Sequence, residues 1–424
     1  MARKMKDSGI EWIGEIPEGW SIARGKHILT LLQRAVFPTD GVITCFRDGE
    51  VTLRSNRRED GFTVSLKEIG YQGIEPGDLV VHGMDGFAGS IGISDSRGKS
   101  SPVLVVLDSS QDKKYLMYYL RSMAYNNVFL ALSTGIRVRS CDLKWNKLAD
   151  LLYLVPPIVE QHKLVSFLDE KCSEIDAMLS KTRASIEEYK KLKQAVITQA
   201  VTKGVRGERE MKDSGNPWFG QIPTDWKLSH VGLHFSIILG KMLCNAPLND
   251  TYTLEPYYCA ADVHFDGVAD GERKKMWFSP IEKDLYRVSV GDLLVVEGGA
   301  GAGGSAIVEN QDSYTYIQNS IMIVRSKGNA DSRYLRYLLE FLVKQGYIDV
   351  VCNKATIPHF TKDKLSCVPF CLCPTGEQKE IADYLDAKCA EIDRLIAKKE
   401  QLVKELESYK KSLIYEVVIG KREV

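Results

Sequence analysis

The chain writes one sixteen-residue phrase twice. MKDSGIEWIGEIPEGW occupies residues 5–20 and MKDSGNPWFGQIPTDW residues 211–226, with both Trp positions, the Ile-Pro pair and the Lys-Asp-Ser-Gly run preserved across a spacing of 206 residues. Solenoid repeats recur every 20 to 50 residues or so, because each unit is one supersecondary motif stacked on the next. A period this long instead predicts two whole domains that start alike. At 424 residues, 44% hydrophobic and 26% charged, the chain has enough apolar material for a core in each.

Further matches follow in the same order. VITCFRDGEV (42–51) stands opposite AADVHFDGVA (260–269), and GDLVVHGMDGFAGSIGI (77–93) opposite GDLLVVEGGAGAGGSAIV (291–308). PPIVEQHKLVSFLDEKCSEIDAML (156–179) then returns as CPTGEQKEIADYLDAKCAEIDRLI (373–396), sharing Glu-Gln, Leu-Asp, Lys-Cys and Glu-Ile-Asp. The edges of the halves agree while their centres diverge.

The closing segments carry a narrow apolar stripe at steps of three and four. It runs through Leu164, Leu168, Cys172, Ile175, Leu179, Thr182, Ile186, Tyr189, Leu192, Val196 and Ala200 in the first half. In the second it runs through Ile381, Leu385, Cys389, Ile392, Ile396, Lys399, Val403, Leu406, Tyr409, Leu413 and Val417. Between Glu- and Lys-rich faces this is a coiled-coil seam. It predicts two helices of about 36 residues each, roughly 54 Å at 1.5 Å per residue, packed antiparallel and holding the globular segments apart. Counting from Asp176 to Tyr189 and from Asp393 to Tyr409 suggests a slip of about three residues between the helices.

The globular segments read as mixed α/β. Short Val/Ile runs such as DLVVHG, PVLVVL, DLLVVEG and IMIVRS are bounded by Gly, Asp and Ser, as strands are. DKKYLMYYLRSMAYNN and DSRYLRYLLEFLVKQG each place an Asp before an aromatic-aliphatic helix face. The leader, with Trp12, Trp20, Trp218 and Trp226 as anchors, is expected to clip the chain to its domain and to the helices. The expected organisation is a first domain over 1–155, a helix over 156–205, a second domain over 206–372 and a second helix over 373–424.

Catalytic motifs are missing where each chemistry needs them. Gly299, Gly301 and Gly304 satisfy GxGxxG, but SAIVEN after them continues as a strand where a dinucleotide fingerprint would open a helix, so a Gly-rich hairpin is expected. VPPIVEQ lacks the polar residue of an Asn/Asp-Pro-Pro-aromatic turn, and there is no GxxxxGK[ST]. The seven His are scattered and the triplet beginning at Glu272 is isolated, so no metal site is expected. Cys367, Cys371 and Cys373 lack zinc-ligand spacing and read as small apolar strand residues. No run nears the roughly 18 apolar residues of a membrane span, and MARKMKDSG lacks a signal-peptide core, so the cytoplasm is expected.

Recognition is the remaining class. Lys plus Arg and Asp plus Glu balance at 56 each, so an anionic partner must be held by local patches. Such patches lie in the divergent centres: Arg54, Arg57 and Arg58; Arg137, Arg139 and Lys144; Arg273, Lys274 and Lys275; Lys354, His359, Lys362 and Lys364. Mixed with Ser, Thr, Asn and aromatics, they suit a DNA surface, where cations hold phosphates and Arg reads base edges. Arg54, Arg137 and Arg139, among small neighbours, are the expected base readers, and the Lys274-Lys275 pair is the expected phosphate clamp.

Taken together, the WIGEIPEGW and WFGQIPTDW leaders, the Asp48-Gly49 and Asp266-Gly267 turns, the GDLVV and GDLLVV strands and the PPIVEQ and PTGEQ openings of the helices resemble the specificity subunit of type I restriction-modification enzymes. The resemblance covers nearly the whole chain. It implies two target-recognition domains, each reading half of a split double-stranded DNA site, and two long helices in an antiparallel coiled coil with pseudo-twofold symmetry. It also implies two modification subunits that methylate adenine with S-adenosylmethionine, and restriction subunits that use ATP and Mg2+; this chain would bind no cofactor and catalyse nothing. A methyltransferase with fused recognition domains and a coiled-coil scaffold without DNA are the alternatives. Missing cofactor motifs weigh against the first, and a salt-dependent shift of duplex DNA separates out the second.

Overall fold

In each leader the Ile-Pro pair fixes extended geometry, and the computed structural model folds the segment into a small hairpin, Met5–Asp7 against Glu15–Pro17 and Met211–Asp213 against Gln221–Pro223. The structure describes residues 3–57, 68–131, 143–310, 314–352 and 358–424. The chain divides into two units, residues 1–183 with 400–424, and residues 184–399. Among the described residues no helix is long and apolar enough to cross a membrane.

In the first unit a four-stranded antiparallel sheet has the order Leu29–Leu31, Leu104–Ser109, Leu79–His82, Ile91–Ile93. The second unit repeats it as Phe235–Leu239, Ile321–Ser326, Leu293–Val296, Ser305–Ile307. Central strands rich in Val and Leu are covered on both faces, so Leu79, Val80, Val81 and Leu293 to Val296 have no exposed surface. The Gly-rich stretch around Gly299 turns between Leu293–Val296 and Ser305–Ile307, which is the expected hairpin. Each sheet carries a helix, Lys113–Tyr125 or Ser332–Lys344, capped by an aspartate. Asp112 accepts the N–H groups of Lys114 and Tyr115, and Asp331 those of Arg333 and Tyr334.

The long helices run Ile158–Lys203 and Thr375–Val418, 46 and 44 residues. They exceed the expected 36 because each helix continues past the seam, through buried Gln161 and Val201 in the first and buried Gln378 and Val418 in the second. Their ends are set by Pro157 and Pro374, whose carbonyls accept the first-turn N–H groups, and by Gly204 and Gly420 in left-handed conformation after the last turn.

Inside the first unit Asp176 pairs with Lys410 at 2.6 Å and Arg183 with Glu407 at 2.5 Å, so the helix segments there are antiparallel. Inside the second, Lys193 pairs with Asp393 at 2.6 Å and the ring of Tyr189 lies 5.7 Å from Lys399 Nζ. These pairs correct the expected slip. The pairing Lys lies seventeen residues beyond the Asp in both helices, so Tyr189 and Tyr409 are not counterparts.

Of the seam, Leu164, Leu168, Cys172, Ile175, Leu179, Ile186, Ala200, Ile381, Leu385, Cys389, Ile392, Leu413 and Val417 are buried. Ile396 and Leu406 are half-buried. Leu192 and Tyr409, expected in the seam, are 49% and 50% exposed. A straight helix drifts about 20° per heptad against a 3.5-residue repeat, and the buried face passes instead to Ile197 and Ile414, both fully covered.

The repeated phrases now have structural roles. Ile10, Ile13, Ile16 and Trp20 share a core with Leu413 to Ile419 in the first unit, and Phe219, Ile222 and Trp226 share one with Ile197, Ala200 and Val201 in the second. The Gln of the Glu-Gln pair at each helix start clamps the neighbouring capped helix. Buried Gln161 accepts the Asp112 N–H at 3.0 Å and donates to Pro156 O at 2.8 Å; Gln378 accepts from Asp331 at 2.9 Å and donates to Cys373 O at 2.8 Å. The Leu-Asp aspartates continue the clamp, Asp169 accepting from Tyr118 at 2.8 Å and Asp386 from Tyr337 at 2.7 Å.

Cysteine placement needs one correction. Cys371 and Cys373 are buried in and beside the strand Pro369–Leu372, but Cys367 caps the preceding helix and is exposed. Its alternation with Val368 and Phe370 begins in helix, before the strand does.

Candidate nucleic-acid interface

In the first unit the strands Ile43–Cys45 and Val51–Leu53 form a hairpin closed by Asp48-Gly49. Gly49 has φ +86°, which a side chain would resist. The hairpin, Tyr71, His82, Asp85 and Ser101 enclose an open concavity of about 830 Å³. Arg54 begins a short 3-10 turn on its wall, its Nε donating to Thr44 Oγ1 at 3.3 Å. Arg57 lies with its guanidinium carbon 4.2 Å from the Phe46 ring centre and pairs with Asp48 at 2.7 Å and Glu50 at 3.1 Å.

Two lining groups, Arg47 and His82, were not singled out from the sequence. Arg47, with a side chain 62% exposed, pairs with Asp85 at 3.1 Å. His82 Nδ1 accepts the N–H groups of Met84 and Asp85, which leaves its proton on Nε2 as a donor. Burial pulls this imidazole below its ordinary pKa, with Asp85 opposing, so the neutral form is favoured. The signals were local: Arg47 directly precedes the Asp-Gly turn, and His82 ends the apolar run of GDLVVH.

The charge in this concavity is nearly balanced, Arg47, Arg54 and Arg57 facing Asp48, Glu50 and Asp85. Guanidiniums held by carboxylates and an aromatic ring are oriented before any ligand arrives. They present planar donor forks suited to base edges. Lys144 precedes the helix Trp145–Asp150 and lines an adjoining concavity of about 550 Å³ that shares Tyr71 and Leu104 with the first.

The second unit is built differently at the matching place. Arg273, expected on the surface, has a side chain only 16% exposed; it pairs with Asp262 at 3.2 Å, donates to Ala269 O and lies 4.8 Å from the Tyr258 ring centre. It braces the hairpin Val263–His264/Gly267–Val268. Lys274 and Lys275 open the strand Lys274–Phe278 and are both exposed. His359, 62% exposed at its side chain, stands 3.4 Å from Glu297, and its carbonyl accepts from Lys364 at 2.7 Å. Lys362 is exposed at the start of Lys362–Ser366. Arg58, Arg137, Arg139 and Lys354 lie outside the described residues.

Residues 274–406 match the model of the type I restriction modification DNA specificity domain. The protein named as the MjaX type I restriction enzyme specificity subunit of Methanocaldococcus jannaschii is 24% identical over 96% of this chain and 95% of its own length. The StySPI specificity subunit of Salmonella potsdam is 22% identical over 90% of this chain and 84% of its own. The chain is thus similar to type I specificity subunits over nine-tenths or more of its length. A solved type I R-M system chain, 16% identical, superimposes with a TM-score of 0.73 over 96% of this chain and 99% of its own, so the two share one fold over that span.

Proposed function

We propose that this chain is the non-catalytic, DNA-reading member of a type I restriction-modification complex, each unit contacting one half of a split double-stranded site. The observation that carries the reading is the duplicated frame with unlike centres. Sheet order, Gln clamp and leader hairpin recur in both units, whereas the exposed cations are guanidiniums around Arg54 in one and the ammoniums Lys274 and Lys275 in the other. One scaffold presenting two chemistries is what recognition of two different half-sites requires.

The same reading gives the chain two modification subunits as partners, with S-adenosylmethionine at their sites, and restriction subunits that use ATP and Mg2+. The test is methylome sequencing of a strain carrying the complete system, together with duplex binding at several salt concentrations with and without modification subunits. A gapped adenine motif and a salt-dependent shift are expected. Absence of both would leave the chain a scaffold without a DNA role.

A further inference from the structure

The hairpin beside Arg54 and Arg57 is tied to the domain helix through the side chain of Arg121. Arg121, on Lys113–Tyr125, donates from Nε to Ile91 O at 2.7 Å and from a terminal nitrogen to Gly49 O at 2.9 Å. It thereby links the Asp-Gly turn and the sheet edge to the helix that Gln161 fixes on the long helix. The fit is tight: a Cβ on Gly49 would lie 1.7 Å from the Arg121 guanidinium, and one on Gly92 would lie 2.0 Å from Gly49 O.

The second unit achieves the tie with another residue. Arg336, on Ser332–Lys344, donates to Phe265 O just before its Asp266-Gly267 turn, and pairs with Glu340 at 3.1 Å. Counted from the capping aspartates Asp112 and Asp331, Glu340 holds the place of Arg121, and the guanidinium comes from one turn earlier. Both side chains of the pair are largely buried, at 13% and 8% exposure. The contact recurs although the residue supplying it does not, so what the two units share is an arginine on the turn that precedes the reading surface.

We propose that Arg121 and Arg336 are positioning residues for specificity: Arg121 fixes the hairpin beside Arg54 and Arg57, Arg336 fixes the matching hairpin Val263–His264/Gly267–Val268, and each thereby sets which half-site its unit accepts. The proposal rests on the DNA-reading function above. Arg121 touches no base in this scheme; it acts through the position of Arg47, Arg54 and Arg57.

The test uses the complete chain assembled with its modification subunits, measuring methylation rates on duplexes altered in one half-site at a time. Arg121→Met should reduce discrimination at the first half-site about tenfold or more, since two charge-assisted bonds are lost, and leave the second intact. Gly49→Ala, which displaces the guanidinium from the other side of the contact, should give the same pattern. Arg121→Lys, keeping a charged donor for one carbonyl, should recover part of the discrimination, and Arg336→Met should relax only the second half-site. Hydrogen exchange should show faster opening of the amides of residues 46–50 in Arg121→Met. Unchanged first half-site selectivity in both Arg121→Met and Gly49→Ala, or equal relaxation of both half-sites, would overturn the proposal. If the wild-type complex yields no split methylation motif, the DNA-reading function itself fails and the positioning role falls with it.

Discussion

Replacing Gln378 with Met keeps the side-chain length and removes both hydrogen-bonding ends. Gln378 is fully buried, accepts from the N–H of Asp331 and donates to Cys373 O. The variant therefore leaves one main-chain donor and one acceptor unpaired inside the unit. Each unsatisfied buried group costs about 1 to 3 kcal/mol, and Met fills the space closely enough to add little cavity cost. The expected loss is about 3 kcal/mol. For a cooperative unit of about 200 residues, at roughly 2 to 4 °C per kcal/mol, that corresponds to a fall in Tm of about 10 °C. Circular dichroism gives the Tm. Peptide-resolved hydrogen exchange should show loss of protection across Ser332–Lys344, with Lys113–Tyr125 unaffected. Gln161→Met should produce the converse, with a further loss from its bond to Gln111 at 2.8 Å. A Tm within about 2 °C of wild type for both variants would refute the clamp, and would mean that water or a neighbouring group replaces the amide at no cost.

Glu377 has no exposed side-chain surface and pairs with Arg209, whereas its counterpart Glu160, paired with Arg3, is 24% exposed. Arg209→Met should therefore cost about 3 kcal/mol by leaving a buried carboxylate poorly compensated, and Arg3→Met under about 1 kcal/mol, both read by denaturant titration. Asp40 is held below its ordinary value of 3.8 by hydrogen bonds from Arg97 and from the Phe37 N–H. Its folded pKa being depressed, the stability it contributes is complete above that ordinary value and is lost as pH falls through the lower folded value. Arg97→Met should flatten that acid limb of the stability profile, and an unchanged acid limb would count against the pairing. Removing Lys274 and Lys275 together should lower the salt slope of DNA binding by about 1.8 with little change in half-site preference; altered preference at one base position would make them base readers.

Much of the frame was legible because it depends on local chemistry written twice. The Asp caps, the Asp-Gly turns, the Gly-rich hairpin and most of the apolar seam follow from side-chain periodicity and backbone preference, and the structure places them accordingly. The candidate site was less legible. The pattern of basic residues gave Arg54 and Arg57 but also Arg273, which looks like them in sequence and is spent on Asp262. It passed over Arg47 and His82, which acquire a setting only when the hairpin and the strand Leu79–His82 face one concavity.

By itself the amino-acid order determined that there are two halves, where each begins, and which residue types close its turns and helices. Tertiary structure decided what those residues are for. Whether an arginine braces or reads depends on how much of it stays exposed once its partners are in place, 62% of the side chain for Arg47 against 16% for Arg273, and that is set by packing with segments as distant as Gly49 is from Arg121. It also decided that each unit takes a piece of both long helices, because a helix buries its stripe against whichever segment meets it in space, however distant in sequence.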